Sequence, residues 1–528
     1  MVTVPRVIAR SLTAGVFMIC TAMEGPAMAA GTDPFGEPVV QTDHQIQIDG
    51  TTLHYTAEAG RVAIRDVETG EPHGYMFYVA YRVPPAAGPR PVAFVWNGGP
   101  GSSSALLHFE AGGPKRLAKV WGQSKNSVKR SQHQNSGEGV FTLTPNEDTW
   151  LTATDLVFVD PIGTGFSRPA KPEYAGEFYG TVGDVASVTE FVRVWRLLHA
   201  AEAAPVLLIG ESWGAGRAGS VGFELVERGI PLQGLVLISG GTGLNRQVLS
   251  PAMSSALRVV DRSATAFHHG RLPDELGDSE AEVRVQAEAW VRDTYAPTLE
   301  HFASLTDKER DALIDGLARL TGMPPELIDR ETLVVAPRPY REGLLHASGK
   351  ILDVFDMRLV QEEAPGTQTQ DHHARWNLIT RYLRDELGYR TDLPYVDLES
   401  VEQGYAPGGT YPESVNARWN YATVEVTPEE REKAYEAASK HGGGPPQLGP
   451  PLPSAAEAVE RQPQLKVLVA AGRFDSLNSC ATNEELARNL EGVHKAAYVF
   501  RCYEGGHMMY RDGEAGAELG RDVRELAE

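Results

Sequence analysis

The feature that most constrains the fold of this chain is a series of short, nearly continuous apolar runs, each followed by turn residues. Such runs, rich in β-branched residues, are typical of strands that are covered on both faces of a parallel sheet. Helical patterns lie between several of them, notably over 185–201 and 216–229. Because this alternation implies right-handed strand-helix-strand crossovers, the sequence predicts an α/β fold with a central, mostly parallel sheet flanked by helices. The runs are 91–97, 154–160, 205–210, 233–239, 465–472 and 496–503.

Two segments differ from this alternation. Residues 45–82 have the pattern of antiparallel hairpins, which would open the sheet. Residues 244–460 carry mainly helical patterns and include a Gly/Pro-rich connector at 441–453. We therefore predict a large, mainly helical cap inserted between two parts of one core, residues 30–243 and residues 461–528.

The first 29 residues have the pattern of a signal peptide. Arg6 and Arg10 form a basic start, and a mostly apolar stretch over 11–23 follows, too short to span a bilayer. The small residues around Ala27 and Ala29 suit a signal peptidase. We expect export to the periplasm or the medium, and no integral membrane segment in the mature protein.

The charge of the chain argues against several classes of partner. Its 49 Lys and Arg residues are outnumbered by 70 Asp and Glu residues, which gives a net charge of −21. No basic run offsets this excess, so nucleic acid is not an expected partner. No metal-ligand cluster or phosphate-binding loop is recognisable, so neither a metal nor another cofactor is expected. The sequence leaves the oligomeric state open.

Three cysteines are present, and removal of the signal peptide would leave Cys480 and Cys502. Export permits disulfides, and the two cysteines lie close to predicted strands, Cys480 after the run 465–472 and Cys502 at the end of the run 496–503. One bridge between them and two buried free thiols are both compatible with the sequence.

The strongest chemical signal is the motif Gly-x-Ser-x-Gly centred on Ser212. It follows a predicted strand and precedes a predicted helix, the context of a nucleophile elbow. Gly210 and Gly214 permit a sharp turn that presents the serine hydroxyl above the sheet. Ser212 is therefore the predicted nucleophile.

A serine hydroxyl needs a base to accept its proton, and an acid to orient that base. A nucleophile elbow on such a sheet predicts the α/β-hydrolase fold, in which the acid and then the histidine follow the serine along the chain, on loops after late strands. Asp475 follows the run 465–472, and His507 follows the run 496–503 after two glycines. Asp475 could instead cap the next helix, and His507 could be a surface histidine. An intact elbow together with both placements favours a Ser212, His507, Asp475 triad.

A second glycine-rich turn, 97–104, follows the first apolar run. In this fold that position supplies half of the oxyanion hole, because glycines let backbone N–H groups approach the substrate closely. A plain glycine turn is the alternative interpretation. Two such loops after strands of one sheet favour the catalytic interpretation.

Five motifs taken in order, NGGPGSSS, DPIGTGFS, GESWGAG, AGRFDSLNS and GGHMMY, resemble the serine carboxypeptidase family, in a bacterial-type exported form. The resemblance is dense in the predicted sheet and sparse in the predicted cap. It implies the triad named above and a peptide substrate with a free C-terminus. It further implies that the N–H groups of Gly99 and Trp213 form the oxyanion hole. The other implied roles are carboxylate binding by Asn97, Gly98 and Glu211, a leaving-residue pocket bordered by Met508, and a floor formed by residues 160–167.

Four positions depart from the family pattern. Trp213 stands where the family usually has Tyr, and Ser102 where it usually has a cysteine, so the disulfide from that loop is lost. Tyr510 stands where many relatives have Pro. Glu110 lies one position away from an acidic residue that some relatives use, and it is left out of the predicted site for that reason.

Glu211 also carries a physical expectation about pH. Two ionised carboxylates in contact repel each other, so Glu211 and a substrate's terminal carboxylate would share a proton, which raises one pKa. Asn97 can donate to this pair through its amide. The sequence thus predicts a serine carboxypeptidase favoured at acidic pH. The alternatives are an esterase or acyltransferase with the same triad, and a catalytically inactive hydrolase fold that serves as a binding protein.

Overall fold

The structure is a computed structural model that describes residues 28–32, 38–84, 88–121, 139–244, 248–362, 369–398, 413–440, 446 and 448–528. The predicted signal peptide, apart from Met28 and Ala29, lies outside the described residues. So does most of the first half of the predicted Gly/Pro-rich connector, while residues 448–453 are described.

Eleven of the described strands form one mixed sheet. These are β1 (Met28–Thr32), β2 (Pro38–Ile48), β3 (Thr51–Arg65), β4 (Pro72–Arg82), β5 (Val92–Trp96), β8 (Asp155–Val159), β9 (Arg168–Pro169), β10 (Val206–Glu211), β11 (Leu232–Ile238), β14 (Lys466–Gly472) and β15 (Tyr498–Tyr503). Two separate hairpins pair β6 (Lys115–Trp121) with β7 (Gly139–Pro145), and β12 (Lys350–Leu352) with β13 (Val360–Glu362).

The order of strands in the large sheet is β1-β2-β3-β4-β8-β5-β10-β11-β14-β15, with β9 beside β4. Strands β8, β5, β10, β11, β14 and β15 are parallel, and each corresponds to one predicted apolar run. Strands β2, β3 and β4 form the predicted antiparallel opening. Every residue of β5, β8 and β10 is buried, which explains why their sequences are apolar without alternation. The predicted α/β fold class is confirmed.

Helices flank both faces of the sheet and make up much of the region between β11 and β14. They are α1 (Ala175–Phe178), α2 (Thr181–Leu198), α3 (Trp213–Glu227), α4 (Pro251–His268), α5 (Glu280–Trp290), α6 (Ala296–Glu300), α7 (Asp307–Thr321), α8 (Pro337–Gly343), α9 (Thr369–Arg381), α10 (Pro428–Lys440), α11 (Ala455–Arg461), α12 (Cys480–Asn489), α13 (Gly492–Ala497) and α14 (Gly513–Ala527). No helix of the described residues is long and apolar enough to cross a membrane.

Three apolar clusters hold these layers together. Two lie on opposite faces of the sheet, one built around Trp96 and Trp195, the other around Trp150 and Tyr382. The third belongs mainly to helices α4, α5 and α7 and to the segments around α8, so the cap region has a core of its own. Helix α11 lies inside the predicted cap boundaries, yet its Val459 packs into the sheet cluster. The boundaries of the cap remain a prediction.

Candidate active site

Ser212 occupies a tight turn between β10 and α3. Its backbone has φ 56° and ψ −123°, a conformation that L-residues rarely adopt and that is typical of functional sites. The turn is closed by the hydrogen bond from the Ser212 N–H to the carbonyl of Ile238, 2.8 Å long. A Cβ on Gly210 would lie 1.9 Å from the carbonyl oxygen of Gly214, so only glycine fits there. The local geometry is that of a nucleophile elbow.

His507 and Asp475 meet beyond the carboxyl ends of β15 and β14. The Nδ1 of His507 lies 2.8 Å from Oδ2 of Asp475, and both side chains are buried. The backbone N–H of Leu477 and the amide of Asn478 donate to the two oxygens of Asp475, at 2.8 Å and 2.7 Å. Because the carboxylate accepts from Nδ1–H, the opposite nitrogen, Nε2, is left as the proton acceptor.

Ser212 and His507 adjoin the same residues at the end of β11. The hydroxyl of Ser239 donates to the carbonyl of His507 at 2.6 Å, and Gly240 packs closely on the backbone of Ser212. Within the described residues, no hydrogen bond joins the Ser212 hydroxyl to the imidazole. Such catalytic contacts are often long in the absence of substrate.

Two opposing effects set the pKa of His507. Burial alone would lower it, but the charge and hydrogen bond of Asp475, together with the charge of Glu211, raise the pKa of His507 above its usual value. A raised pKa makes the imidazole a stronger base for a serine proton.

A segment between β12 and β13 covers the loops of the histidine and the acid. The carbonyl of Phe355 accepts the N–H of His507 at 2.6 Å, and the two rings lie 5.5 Å apart. The hydroxyl of Ser476 donates to the carbonyl of Val354 at 2.6 Å. The cap region thus fixes both loops through backbone contacts, which no side-chain pattern in the sequence could indicate.

The turn 97–104 packs directly against the elbow. A Cβ on Gly98 would lie 2.5 Å from the backbone nitrogen of Trp213, so the two loops approach as closely as glycine allows. Gly99 has φ 102°. Trp213 is the first residue of α3, so its N–H has no partner within the helix. The two N–H groups implied as an oxyanion hole therefore lie on adjoining loops.

Two buried aspartates hold the same turn through hydrogen bonds to its serines. Asp160 accepts the N–H and the hydroxyl of Ser104, both at 2.7 Å, and Asp397 accepts the N–H of Ser103 at 3.2 Å and its hydroxyl. Burial raises the pKa of both aspartates to about 6. Asp160 begins the predicted floor segment, whereas Asp397 comes from the cap region and was not predicted.

Glu211 immediately precedes Ser212 and is buried, with 2% of its surface exposed. The amide of Asn97 and the hydroxyl of Tyr510 both donate to its Oε2, the latter at 3.0 Å. Burial raises the pKa of Glu211 to about 7, against the lowering effects of His507, Tyr510 and Arg511. Glu211 can therefore be neutral at mildly acidic pH, which is the state that a carboxylate ligand requires.

Glu110 also belongs to this neighbourhood, although the sequence comparison left it out. It is buried in a π-helical turn, Leu107–Gly112, and forms ion pairs with Arg375 and Arg511. Its charge acts on Glu211. A π-helical turn has a different residue count from an α-helical one, so an offset of one position in sequence does not exclude a side chain from the site.

Trp213 and Met508, the other predicted side chains, lie next to the predicted nucleophile and histidine in the sequence. The indole of Trp213 packs edge-on against Trp419 and Tyr421 of the cap region, with ring centroids 5.8 Å and 5.6 Å apart. Met508 directly follows His507 and is partly buried against the core. Cys480 and Cys502 form a disulfide, which settles an alternative that the sequence left open.

Among the described residues, no group of three or more His, Cys, Asp or Glu side chains is arranged to hold a metal ion. The groups that converge around Ser212 are instead suited to acyl transfer, since they offer a hydroxyl, an imidazole on a carboxylate, and two backbone donors.

The sheet order, the elbow and the late acid and histidine define the chain as an α/β-hydrolase. Within that class, residues 51–250 match the family model of the serine carboxypeptidases. Carboxypeptidase S1 of Penicillium janthinellum is 32% identical over 127 residues, which are 24% of this chain and 22% of that protein. The chain thus matches about a fifth of the length of this curated relative.

Among solved structures, the prohormone-processing carboxypeptidase Kex1Δp of Saccharomyces cerevisiae superposes with a TM-score of 0.50 and 13% identity, over 89% of this chain and 90% of that one. A thermostable carboxyl esterase of Bacillus coagulans gives a TM-score of 0.32 and 12% identity, over 88% and 96%. The family match and the shared fold support the predicted serine hydrolase. The relative is fungal, and the bacterial-type, exported character of the chain remains a prediction.

Proposed function

We propose that this protein is a serine carboxypeptidase that removes C-terminal residues from peptides at mildly acidic pH. The observation that carries the proposal is the buried Glu211, whose pKa is raised to about 7 and which is hydrogen-bonded to Asn97 immediately before the predicted nucleophile. A neutral carboxyl at this position can share its proton with the terminal carboxylate of a peptide. An esterase has no need of such a group.

The proposed reaction has two steps. In the first, Ser212 Oγ attacks the last peptide carbonyl, and its proton passes to Nε2 of His507. The N–H groups of Gly99 and Trp213 stabilise the oxyanion. The C–N bond then breaks, and the leaving amine takes the proton from His507. In the second step, water gives a proton to Nε2 of His507 and attacks the serine ester. The bond between the acyl carbon and Ser212 Oγ breaks, Oγ takes the proton back from His507, and the shortened peptide is released.

The pH dependence follows from two protonation states. Binding of the terminal carboxylate requires a proton on Glu211, whereas catalysis requires His507 to be neutral. The proton affinity of Glu211 is set by its burial, by the charges of His507, Arg511 and Glu110, and by the hydrogen bonds from Tyr510 and Asn97. The proposal therefore gives a bell-shaped profile of kcat/KM, whose alkaline limb reflects Glu211 and whose acidic limb reflects His507.

Glu211→Gln tests the role of the carboxyl group, because an amide can donate to a carboxylate at any pH. On a free-acid peptide the variant should lose the alkaline limb near pH 7 that the wild type shows. An unchanged limb in the variant would contradict the assignment of this limb to Glu211.

A pair of substrates distinguishes a carboxypeptidase from an esterase or acyltransferase with the same triad. The wild type should cleave a peptide with a free C-terminus about tenfold faster than its C-terminal amide at pH 6.5, since only the acid engages Glu211 and Asn97. Ser212→Ala is the control for contaminating peptidases. Equal turnover of acid and amide would favour the esterase or acyltransferase alternative.

A further inference from the structure

A positively charged cluster borders the proposed site on the side of the leaving residue. Glu110 is the buried carboxylate that pairs directly with it, and the guanidinium groups of Arg375 and Arg511 contact its two oxygens. The charge of Arg116 also acts on Glu110. One negative charge paired directly with two positive charges leaves an excess of positive charge at a pH where the neighbouring Glu211 is protonated, in a chain whose net charge is −21.

Arg511 brings this excess positive charge close to the predicted catalytic residues. It is the last residue of a short helical turn, Met509–Arg511, that begins two residues after His507. The preceding side chain, Tyr510, is bonded to Glu211, and Arg116 holds the carbonyl of Tyr510 at 2.7 Å. The charge of Arg511 acts on both Glu211 and His507.

Part of the Arg511 guanidinium remains available to a ligand. Its Nε donates to Glu110 at 2.5 Å, while the side chain is 41% exposed. In the part of the chain that the structure describes, its two terminal amino groups donate no hydrogen bond to protein. The next acidic neighbour, Asp512, is engaged by Arg358 at 2.6 Å, and Arg358 also pairs with Asp356 and Glu504. Among the described residues, no ion pair joins Asp512 to Arg511.

We propose that Arg511 makes this enzyme select peptides whose C-terminal residue is acidic. This inference rests on the proposed carboxypeptidase function, because that function puts the departing residue beside Met508, which directly precedes the turn that Arg511 ends. A Glu or Asp side chain there would meet the free amino groups of the guanidinium, which bind carboxylates well. A basic side chain would meet an unfavourable charge.

A purely structural role for Arg511 makes a different prediction. If Arg511 only held Glu110 in place, its loss would slow the release of every C-terminal residue alike. A specificity role changes the ratio between two substrates instead. Effects on Glu211 and on the triad cancel in that ratio, because both peptides carry the same terminal carboxylate.

The test uses three peptides that differ only in a C-terminal Glu, Gln or Lys, assayed at pH 6 with the full chain. In the wild type, kcat/KM for Glu should exceed that for Gln by about five- to tenfold, the size expected for a half-exposed ion pair, and Lys should be poorest. Arg511→Gln should bring the Glu-to-Gln ratio close to one, and Arg511→Lys should keep most of it. Arg338→Gln, at an exposed arginine on α8, is the matched control and should leave the ratio unchanged.

Glu110→Gln is an independent variant that should change the Glu-to-Gln ratio in the opposite direction. It removes the compensating negative charge, so the Glu-to-Gln ratio should rise above that of the wild type. Equal release of Glu and Gln by the wild type, or an unchanged ratio in Arg511→Gln, would overturn the selectivity and leave the proposed carboxypeptidase standing. Failure of the wild type to release any C-terminal residue would overturn both.

Discussion

The hydroxyl of Tyr510 donates a hydrogen bond of 3.0 Å to Oε2 of Glu211, the carboxyl that adjoins the predicted nucleophile. This bond stabilises the ionised form of Glu211 and so opposes the effect of burial on its pKa. Sequence comparison registers Tyr510 only as a departure from the family pattern. In the structure it is one of the two side chains that donate to Glu211 among the described residues.

Tyr510→Phe should therefore raise the pKa of Glu211 further above its ordinary value. The alkaline limb of kcat/KM for a free-acid peptide should move to higher pH, and turnover at pH 8, relative to the optimum, should rise by up to about tenfold. An ester substrate without a terminal carboxylate is the control, and its profile should not move. A limb that stays in place or moves to lower pH would show that the phenol does not stabilise the carboxylate.

Asp475→Asn tests the hydrogen bond between Asp475 and His507. An amide cannot hold the imidazole in the tautomer that leaves Nε2 free, so kcat should fall by about 10³- to 10⁴-fold with little change in KM. Asp293→Asn, at an exposed aspartate in the cap region, is the matched control. Thermal unfolding of both variants checks that the fold is kept. A loss of less than tenfold would mean that Asp475 does not orient the base.

Those parts of the fold and site that depend on local sequence could be predicted. Strands β10 and β14 are buried on both faces, and strands of this kind have nearly continuous apolar sequences that can be recognised directly. The elbow needs glycines at fixed positions, and the acid and histidine come directly after strands. These parts depend on local sequence, and for that reason they could be predicted from it.

Other parts of the site depend on long-range packing and were not predicted. Tyr510 and Glu211 lie 299 positions apart, and Asp397 meets Ser103 across 294 positions. Phe355 and Asp397 come from irregular segments of the cap region, where no periodic pattern fixes the direction of a side chain. Only the folded cap brings these groups to the loops that they hold.

Asp261 offers a test of stability that is separate from catalysis. It is buried on α4, and its Oδ1 accepts the N–H of Ala481 at 3.2 Å. Burial raises its pKa to about 6. Since the folded state binds a proton more tightly than the unfolded state, this group lowers the free energy of unfolding as pH rises from about 4 to 6.

Asp261→Asn removes that titration. Relative to wild type, the free energy of unfolding of the variant should therefore be higher at pH 7 than at pH 5, by about 1 kcal/mol. Urea unfolding at the two pH values measures this difference, with Asp315→Asn at an exposed position of α7 as the control. A difference of zero, or of opposite sign, would contradict the raised pKa.

The disulfide between Cys480 and Cys502 ties the first residue of α12 to β15, the strand that precedes the loop of His507. Replacing both cysteines by serine should lower the free energy of unfolding by about 2–4 kcal/mol, because the cross-link restricts the unfolded chain. A reducing agent should destabilise the wild type to a similar degree and leave the double variant unchanged. Equal stability of wild type and double variant would show that the bridge does not form in solution.

The most direct test of the whole account is covalent trapping of the nucleophile. The folded protein should react with a fluorophosphonate probe, and mass spectrometry of its peptides should place a single adduct on Ser212, with His507→Ala abolishing the reaction. An unlabelled folded protein, or an adduct on another residue, would contradict the claim that His507 and Asp475 activate this hydroxyl.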